Sequence, residues 1–254
     1  MSKKIVVVTG GTSGIGYETI EYLLENGNYE IITVSRKQEN IEATKERLGG
    51  NADKVYFILG DLSSETDCEE IHNEIESKYG RLDGLVNCAG IIREGGIEEA
   101  TVEEWRYSLD INLTSMFIIT KKLLPLLKLG TNPSIVNISS MRSQKTGSSI
   151  SYCVEKAGVD MLTKYLGKEL GKYNIRVNSV NPGNIANTNI YIAAGILKTQ
   201  EEYQAMLDEK VKTYPLGRVG KAKEDLAPTI EFLLSDKSLW TTGACYIVDG
   251  GASI

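Results

Sequence analysis

The chain has 254 residues, of which 41% are hydrophobic and 24% charged, with 25 glycines and 5 prolines. That is ordinary globular usage, and it excludes a disordered chain, a fibrous repeat and a small disulfide-stapled scaffold. The formal net charge of −6 argues against a general affinity for nucleic acid or an anionic membrane surface.

The predicted elements alternate in type along the chain. Lys4–Thr9 is a β-branched run that suits a strand buried on both faces. Residues 15–25 place Ile15, Ile20, Leu23 and Leu24 near helical spacing. Strands follow at 30–35 and Val55–Leu59, with a charged helix at 39–48 between them. A helix at 66–79 has Ile71 and Ile75 four apart, and Gly84–Asn87 is a fourth strand. Residues 101–128 read as one long helical region, with Pro125 marking a bend or an end. Ser134–Ile138 is a fifth strand, 150–173 a long helix, 175–180 a sixth strand, 225–235 a helix and 244–248 a last strand.

This alternation predicts an α/β fold: a doubly wound, Rossmann-type parallel sheet of seven strands with helices on both faces. No Pro/Ser-rich linker or charge block divides it, so one domain over 1–254 is expected. The least regular segment, about 184–214, is where function rather than fold is expected.

Some chemistry is nearly excluded. The one histidine, His72, sits in a polar helical stretch and reads as a surface residue, so neither a His base nor a multi-His metal site is expected. Cys68, Cys88, Cys153 and Cys245 show no metal-ligand spacing and are expected to be free thiols in a reducing, cytoplasmic setting. The N-terminal apolar run is broken at Thr9-Gly10-Gly11, too early for a signal peptide, and no run approaches the length of a membrane span. The sequons at Asn112 and Asn137 lie in apolar stretches and read as accidental.

Thr9-Gly10-Gly11-Thr12-Ser13-Gly14-Ile15-Gly16 ends the first strand and opens the first helix. Such a turn aims free N–H groups and a positive helix end at a pyrophosphate. Gly10 permits the turn, Gly14 admits the phosphates and Gly16 lets helix and strand pack closely. The placement between strand and helix makes this a dinucleotide site, with Thr12, Ser13 and Ile15 among its contacts.

The spacing Gly-x-x-x-Gly-x-Gly resembles the short-chain dehydrogenase/reductase family, and the rest of the chain bears the resemblance out to its end. Asp61-Leu62 is similar to the family's adenine-contacting pair. Asn87-Cys88-Ala89-Gly90 is similar to its NNAG, with Cys in the second place. Asn112 falls at its mid-helix Asn, Tyr152 and Lys156 form YxxxK, and Pro182-Gly183 with Ile185 resembles its PGxIxT. PLGRVG, FLLSD and VDGG, beginning at Pro215, Phe232 and Val248, complete the pattern. In PGNIANT, Asn187 occupies the place of the family's Thr and Thr188 follows, so either could supply a polar contact.

The resemblance implies a hydride exchange between a nicotinamide and a carbonyl or secondary alcohol. Ser35 falls where NAD-selective members carry Asp. It removes repulsion against a 2′-phosphate, which Arg36 could engage bidentately, so NADP(H) is expected over NAD(H). Tyr152 would move the proton, and Lys156, four residues along on the same helix face, would favour the phenolate and hold the nicotinamide ribose. Ser139 and Ser140 are the candidates to hold the carbonyl oxygen. Spacing to the tyrosine points to Ser139. The motif points to Ser140, which we prefer because a strand end is held more firmly than a loop length. The backbone carbonyl of Asn112 would carry a water linking Lys156 to solvent.

Residues 184–214 are expected to form a substrate lid, with Ile190, Tyr191, Ile192, Ile196, Leu197, Tyr203, Met206 and Leu207 either facing a partly apolar substrate or packing the lid down. Arg93 and Arg142 lie on loops near the pocket and read as surface arginines or as partners of an anionic substrate group. The sequence leaves open a sugar, a steroid, a polyol or a β-keto thioester. A non-catalytic dinucleotide sensor on the same fold is the alternative, but it needs no Tyr152, Lys156 or Ser. A methyl-donor-dependent transferase explains neither these nor Arg36. The apolar faces of 101–128 and 150–173 predict a homo-oligomer, a tetramer or a dimer.

Overall fold

In the computed structural model, which describes residues 3–188 and 190–254, seven parallel strands form one sheet in the order β3-β2-β1-β4-β5-β6-β9. In chain order these are β1 (Lys4–Thr9), β2 (Tyr29–Ser35), β3 (Val55–Leu59), β4 (Gly84–Asn87), β5 (Ser134–Ile138), β6 (Arg176–Pro182) and β9 (Cys245–Val248). Two further short strands, β7 (Ile185–Ala186) and β8 (Gly220–Lys221), pair with each other. Helices α1 (Gly14–Asn26), α2 (Gln38–Leu48), α3 (Glu65–Tyr79), α4 (Val102–Leu109), α5 (Ser115–Leu127) and α6 (Ile150–Leu170) follow the crossovers. The remaining helices are α7 (Ile190–Ala193), α8 (Gln200–Val211) and α9 (Ala227–Leu234).

Strand alternation divides the core. Val6 and Val8 on β1 pack with Ile20, Leu23, Ile230 and Leu233 from α1 and α9. Ile5 and Val7, one residue out of phase, pack with Ile71, Ile75, Ile119 and Leu123 from α3 and α5. Most of these side chains are wholly inaccessible. Each stabilises the fold by roughly 1.5–3 kcal/mol of transfer free energy. Among the described residues, no helix is long and apolar enough to cross a membrane.

The long helical region expected at 101–128 is two helices. A π-helical turn, Asp110–Thr114, separates α4 from α5. Pro125 lies inside the last turn of α5, which continues two residues further to Leu127. A proline's missing donor is cheap near an end, where few bonds remain to break. The helix expected at 225–235 is likewise shorter. A second π-helical turn occupies Ala222–Leu226 before α9.

The chain reverses its order of winding between β1 and β4. In such sheets a crevice opens there, at the carboxyl ends of the strands. The turns after β1, β2, β3, β4, β5 and β6 all meet at this crevice.

Candidate active site

A cleft of about 530 Å³ runs along the carboxyl ends of the sheet. Its first end is made mainly of backbone. Gly10 has φ +66°, and a Cβ there would stand 2.8 Å from the Cα of Ala89. The glycine loop and the turn after β4 therefore touch in a way that only glycine permits. Gly14 opens α1 at φ +51°. A Cβ on Gly16 would stand 2.4 Å from the carbonyl oxygen of Gly10. Gly16 thus packs helix against loop and does not line the cleft.

The loop leaves the N-terminal N–H groups of α1 facing the cleft beside Thr12, Ser13 and Ile15, and the side chain of Ser13 does not cap them. A cradle without side chains at a helix N-terminus fits the pyrophosphate of a dinucleotide.

Ser35 and Arg36 end β2 on the wall of the same cleft, and Asp61 and Leu62 end β3 there. The Ser35 hydroxyl bonds within its own turn, donating to Lys37 O at 3.2 Å. Arg36 is exposed and engages no carboxylate among the described residues. Asp61 Oδ1 accepts from the amide and hydroxyl of Ser63 at 2.9 and 2.7 Å, which fixes this turn.

Cys88, Ala89 and Gly90 line the middle of the cleft, but Asn87 does not. Asn87 is buried, and its Nδ2 donates to Asn137 Oδ1 at 2.9 Å and to Thr120 Oγ1 at 3.2 Å. As the last strand residue it ties β4 to β5 and α5, and the turn that follows it reaches the cleft. Thr9 holds that turn from the other side, since its Oγ1 accepts from the amides of Cys88 at 2.9 Å and Ala89 at 3.2 Å. Burial pushes the Cys88 thiol up to about 12, so it stands in the cleft uncharged.

The far end of the cleft is made of side chains. Ser149 caps α6 by accepting from the amide of Tyr152 at 3.1 Å, so Tyr152 sits in the first turn with Lys156 one turn on. Lys156 Nζ lies 5.4 Å from the centroid of the Tyr152 ring and donates to Ile138 O at 2.9 Å. Burial pushes the Tyr152 phenol well above the usual tyrosine range, and a hydrogen bond with Ser140 pulls it part of the way back. Burial also holds Lys156 down at about 8. Desolvation is the largest influence on both groups.

The two serines after β5 face different ways. Ser139 Oγ donates to Lys156 O at 3.1 Å and is used up in holding α6 against the strand. Ser140 Oγ accepts from the amide of Arg142 at 3.1 Å, and its hydroxyl lowers the pKa of the Tyr152 phenol.

Asn112 lies in the π-helical turn, fully buried behind the cleft wall. Its Oδ1 accepts from the amide of Ile91 at 2.8 Å, and its Nδ2 donates to Glu155 Oε2 at 2.6 Å. Glu155 was not singled out by motif, although a carboxyl between the Tyr and Lys of one helix is a visible signal.

After β6, Pro182, Gly183, Asn184 and Ile185 line the cleft. Of the two residues that could supply a polar contact, Thr188 lines the cleft. Asn187 is exposed in a left-handed turn at φ +61°. Beyond it, Ile190, Tyr191, Tyr203 and Leu207 face the cleft, while Ile192, Ile196, Leu197 and Met206 do not. Tyr203 is pinned by donating to Ile185 O at 2.7 Å. Arg93 and Arg142 both line the mouth, and Arg142 Nη1 donates to Thr146 O at 2.5 Å.

The family model for short chain dehydrogenases matches residues 4–195. A 3-oxoacyl-(acyl-carrier-protein) reductase of Thermotoga maritima is 32% identical over 252 residues, covering 99% of this chain and 98% of that protein. An NADP-dependent (R)-specific alcohol dehydrogenase of Lentilactobacillus kefiri is 32% identical over 252 residues, covering 98% and 96%. Among solved structures, the Pseudomonas aeruginosa RhlG/NADP active-site complex superposes with a TM-score of 0.88 at 28% identity, covering 100% of this chain and 98% of that one.

Proposed function

The chain belongs to the short chain dehydrogenase family, and we propose that it is an NADP(H)-dependent oxidoreductase acting on a carbonyl or secondary alcohol. One observation carries this reading. A cleft with a glycine cradle at one end gathers Ser140, Tyr152 and Lys156 at the other.

A dinucleotide would be held by Gly10, Thr12, Ser13, Gly14 and Ile15 at its pyrophosphate, and by Asp61 and Leu62 at its adenine. Ala89, Gly90, Pro182, Gly183, Ile185 and Thr188 would flank its nicotinamide half. Bound there, it supplies or accepts a hydride.

The protein's own groups handle the oxygen and the proton. Ser140 donates to the carbonyl oxygen and fixes its position. Tyr152, protonated at neutral pH because its burial raises its pKa, hands that oxygen a proton in the direction of reduction. Lys156 is charged below about pH 8, and it stabilises the phenolate left behind. Asn112 supports this wall from behind through Ile91.

NADP(H) over NAD(H) is supported by Ser35, which presents no negative charge, and by the unengaged guanidinium of Arg36. The segment at about 184–214 acts as a substrate lid, and Ile190, Tyr191, Tyr203 and Leu207, which line the cleft, suit a partly apolar substrate. Homo-oligomer formation is supported by the exposed Phe117 on α5 and by Val154, Met161 and Tyr165 on α6, whose covering would remove apolar surface from water.

The test is a panel of carbonyls and alcohols with both cofactors, followed by the absorbance of the reduced nicotinamide. Turnover with NADP(H) on at least one carbonyl is expected. Tight cofactor binding with no turnover on the whole panel would instead favour a sensor.

A further inference from the structure

Helix α6 carries a carboxyl that the YxxxK pattern does not require. Glu155 lies directly before Lys156 and is fully buried. Its Oε2 accepts from Asn112 Nδ2 at 2.6 Å, and its Oε1 has no hydrogen-bond partner. A buried, half-satisfied carboxyl is costly, and an apolar residue of similar size would serve packing better.

What Glu155 provides is direction. A side-chain amide can be turned over with little change of shape, exchanging its donor and acceptor ends. An ionised carboxylate only accepts. Placed against Asn112, it admits one orientation, with Nδ2 towards Glu155. That leaves Oδ1 towards the amide of Ile91, at 2.8 Å, while Nδ2 also reaches Ile91 O at 3.0 Å. Ile91 and Gly90 belong to the cleft wall. The wall here is tight: a Cβ on Gly90 would stand 3.0 Å from Asn112 Oδ1 and 3.9 Å from Lys156 Nζ.

We propose that Glu155 is a positioning residue for the reaction: its carboxylate orients the amide of Asn112, which fixes the Gly90–Ile91 turn against the catalytic pair. This rests on the reading of the cleft as a dehydrogenase site.

The groups facing Glu155 are few. On its own helix they are Tyr152 and Lys156, and from α4 and the π-helical turn they are Ser108 and Asn112, both neutral. Burial raises the carboxyl above the usual range, while the neighbouring Asn112 and Ser108 and the charge of Lys156 pull it back. Protonation would add a donor to the carboxyl beside its remaining acceptor, so the carboxyl would no longer hold the amide to a single orientation. The lock therefore weakens as pH falls, and it does so at a higher pH than for an exposed carboxylate.

The test is a double-mutant cycle on the full chain with E155Q, N112A and the pair, comparing kcat, cofactor affinity and melting temperature. Gln keeps the shape but can present either end to Asn112. E155Q should lower kcat by about tenfold, the scale of one hydrogen bond to a charged group, with little change in cofactor affinity. In the N112A background it should have no further effect, because the partner it orients is gone. An equal loss in both backgrounds, or no loss in either, overturns the proposal.

A second measurement needs no variant and no substrate. In the unmodified protein, the Asn112 side-chain amide signal, followed by NMR, should move with pH together with the Glu155 carboxyl. A signal that stays fixed through the Glu155 titration overturns the proposal even if the variants fail to fold. Absence of turnover on every carbonyl would defeat the dehydrogenase reading, while the amide signal still decides the role of Glu155.

Discussion

The two ends of the cleft are built from different material. At the glycine-loop end the walls are backbone: Gly10 and Gly14 lie at positive φ, and a side chain on Gly10 would strike Ala89. At the Tyr152 end the walls are side chains, with Lys156, Glu155 and Ser139 all buried. The first end offers shape and free N–H groups to a ligand, at little electrostatic cost. The second buries charge, which destabilises the empty protein and makes its groups reactive. Substitutions at the first end should therefore act on affinity, and those at the second on turnover.

The largest expected effect is at the second end. Tyr152→Phe keeps the ring and deletes the proton. It should cut kcat by about 10²–10⁴ while leaving cofactor affinity near normal. Steady-state kinetics beside a cofactor titration would check this, and full turnover in the variant would break the contrast between the two ends.

Next come the serines. Ser140→Ala removes the hydroxyl that pulls the Tyr152 phenol down and should lower kcat by about 10²-fold. Ser139→Ala removes a hydroxyl committed to Lys156 O and should act mainly through stability, by about 1 kcal/mol. Kinetics and thermal melts of both variants separate these outcomes, and the reverse order would mean that Ser139 faces the substrate in the working enzyme.

Arg36→Ala sharpens the comparison from the first end. It should weaken NADP(H) by about 1.5–3 kcal/mol and leave NAD(H) and kcat little changed. Calorimetry with both cofactors measures this, and equal losses would show that Arg36 does not read the phosphate.

The smallest effect concerns stability. Burial moves Lys156 from the ordinary 10.5 to about 8 in the folded protein. Below pH 8 both folded and unfolded chains hold this proton, and the cost of burying the charge is present in full. Between pH 8 and 10.5 the unfolded chain binds more protons than the folded one, so stability from this group rises with pH. Lys156→Met should thus stabilise the cofactor-free protein at neutral pH by about 1–3 kcal/mol, less the lost bond to Ile138 O. The gain should fade as pH climbs through that window. A variant that melts lower than the parent at neutral pH would show that the buried charge is not a burden.

Local rules made much of this legible in advance. The β-branched runs at Lys4–Thr9 and Ser134–Ile138, the strand–glycine–helix order at 9–16 and the four-residue spacing of Tyr152 and Lys156 each depend on neighbours in the chain alone. Positive φ at Gly10 and Gly14 and a shared helix face for Tyr152 and Lys156 follow from stereochemistry and helical period. Tertiary structure decided what depends on which face meets which. It turned Ser139 to α6 and Ser140 to Tyr152, and Asn87 into the sheet while Ala89 reached the cleft. It chose Thr188 over Asn187 and opened a π-helical turn at Asn112. The bond between Asn112 and Glu155 joins residues 43 apart on different helices. A repeat along one element specifies its own faces, but such a contact exists only once the sheet has brought two elements together, because its energy comes from burial and geometry that neither element has alone.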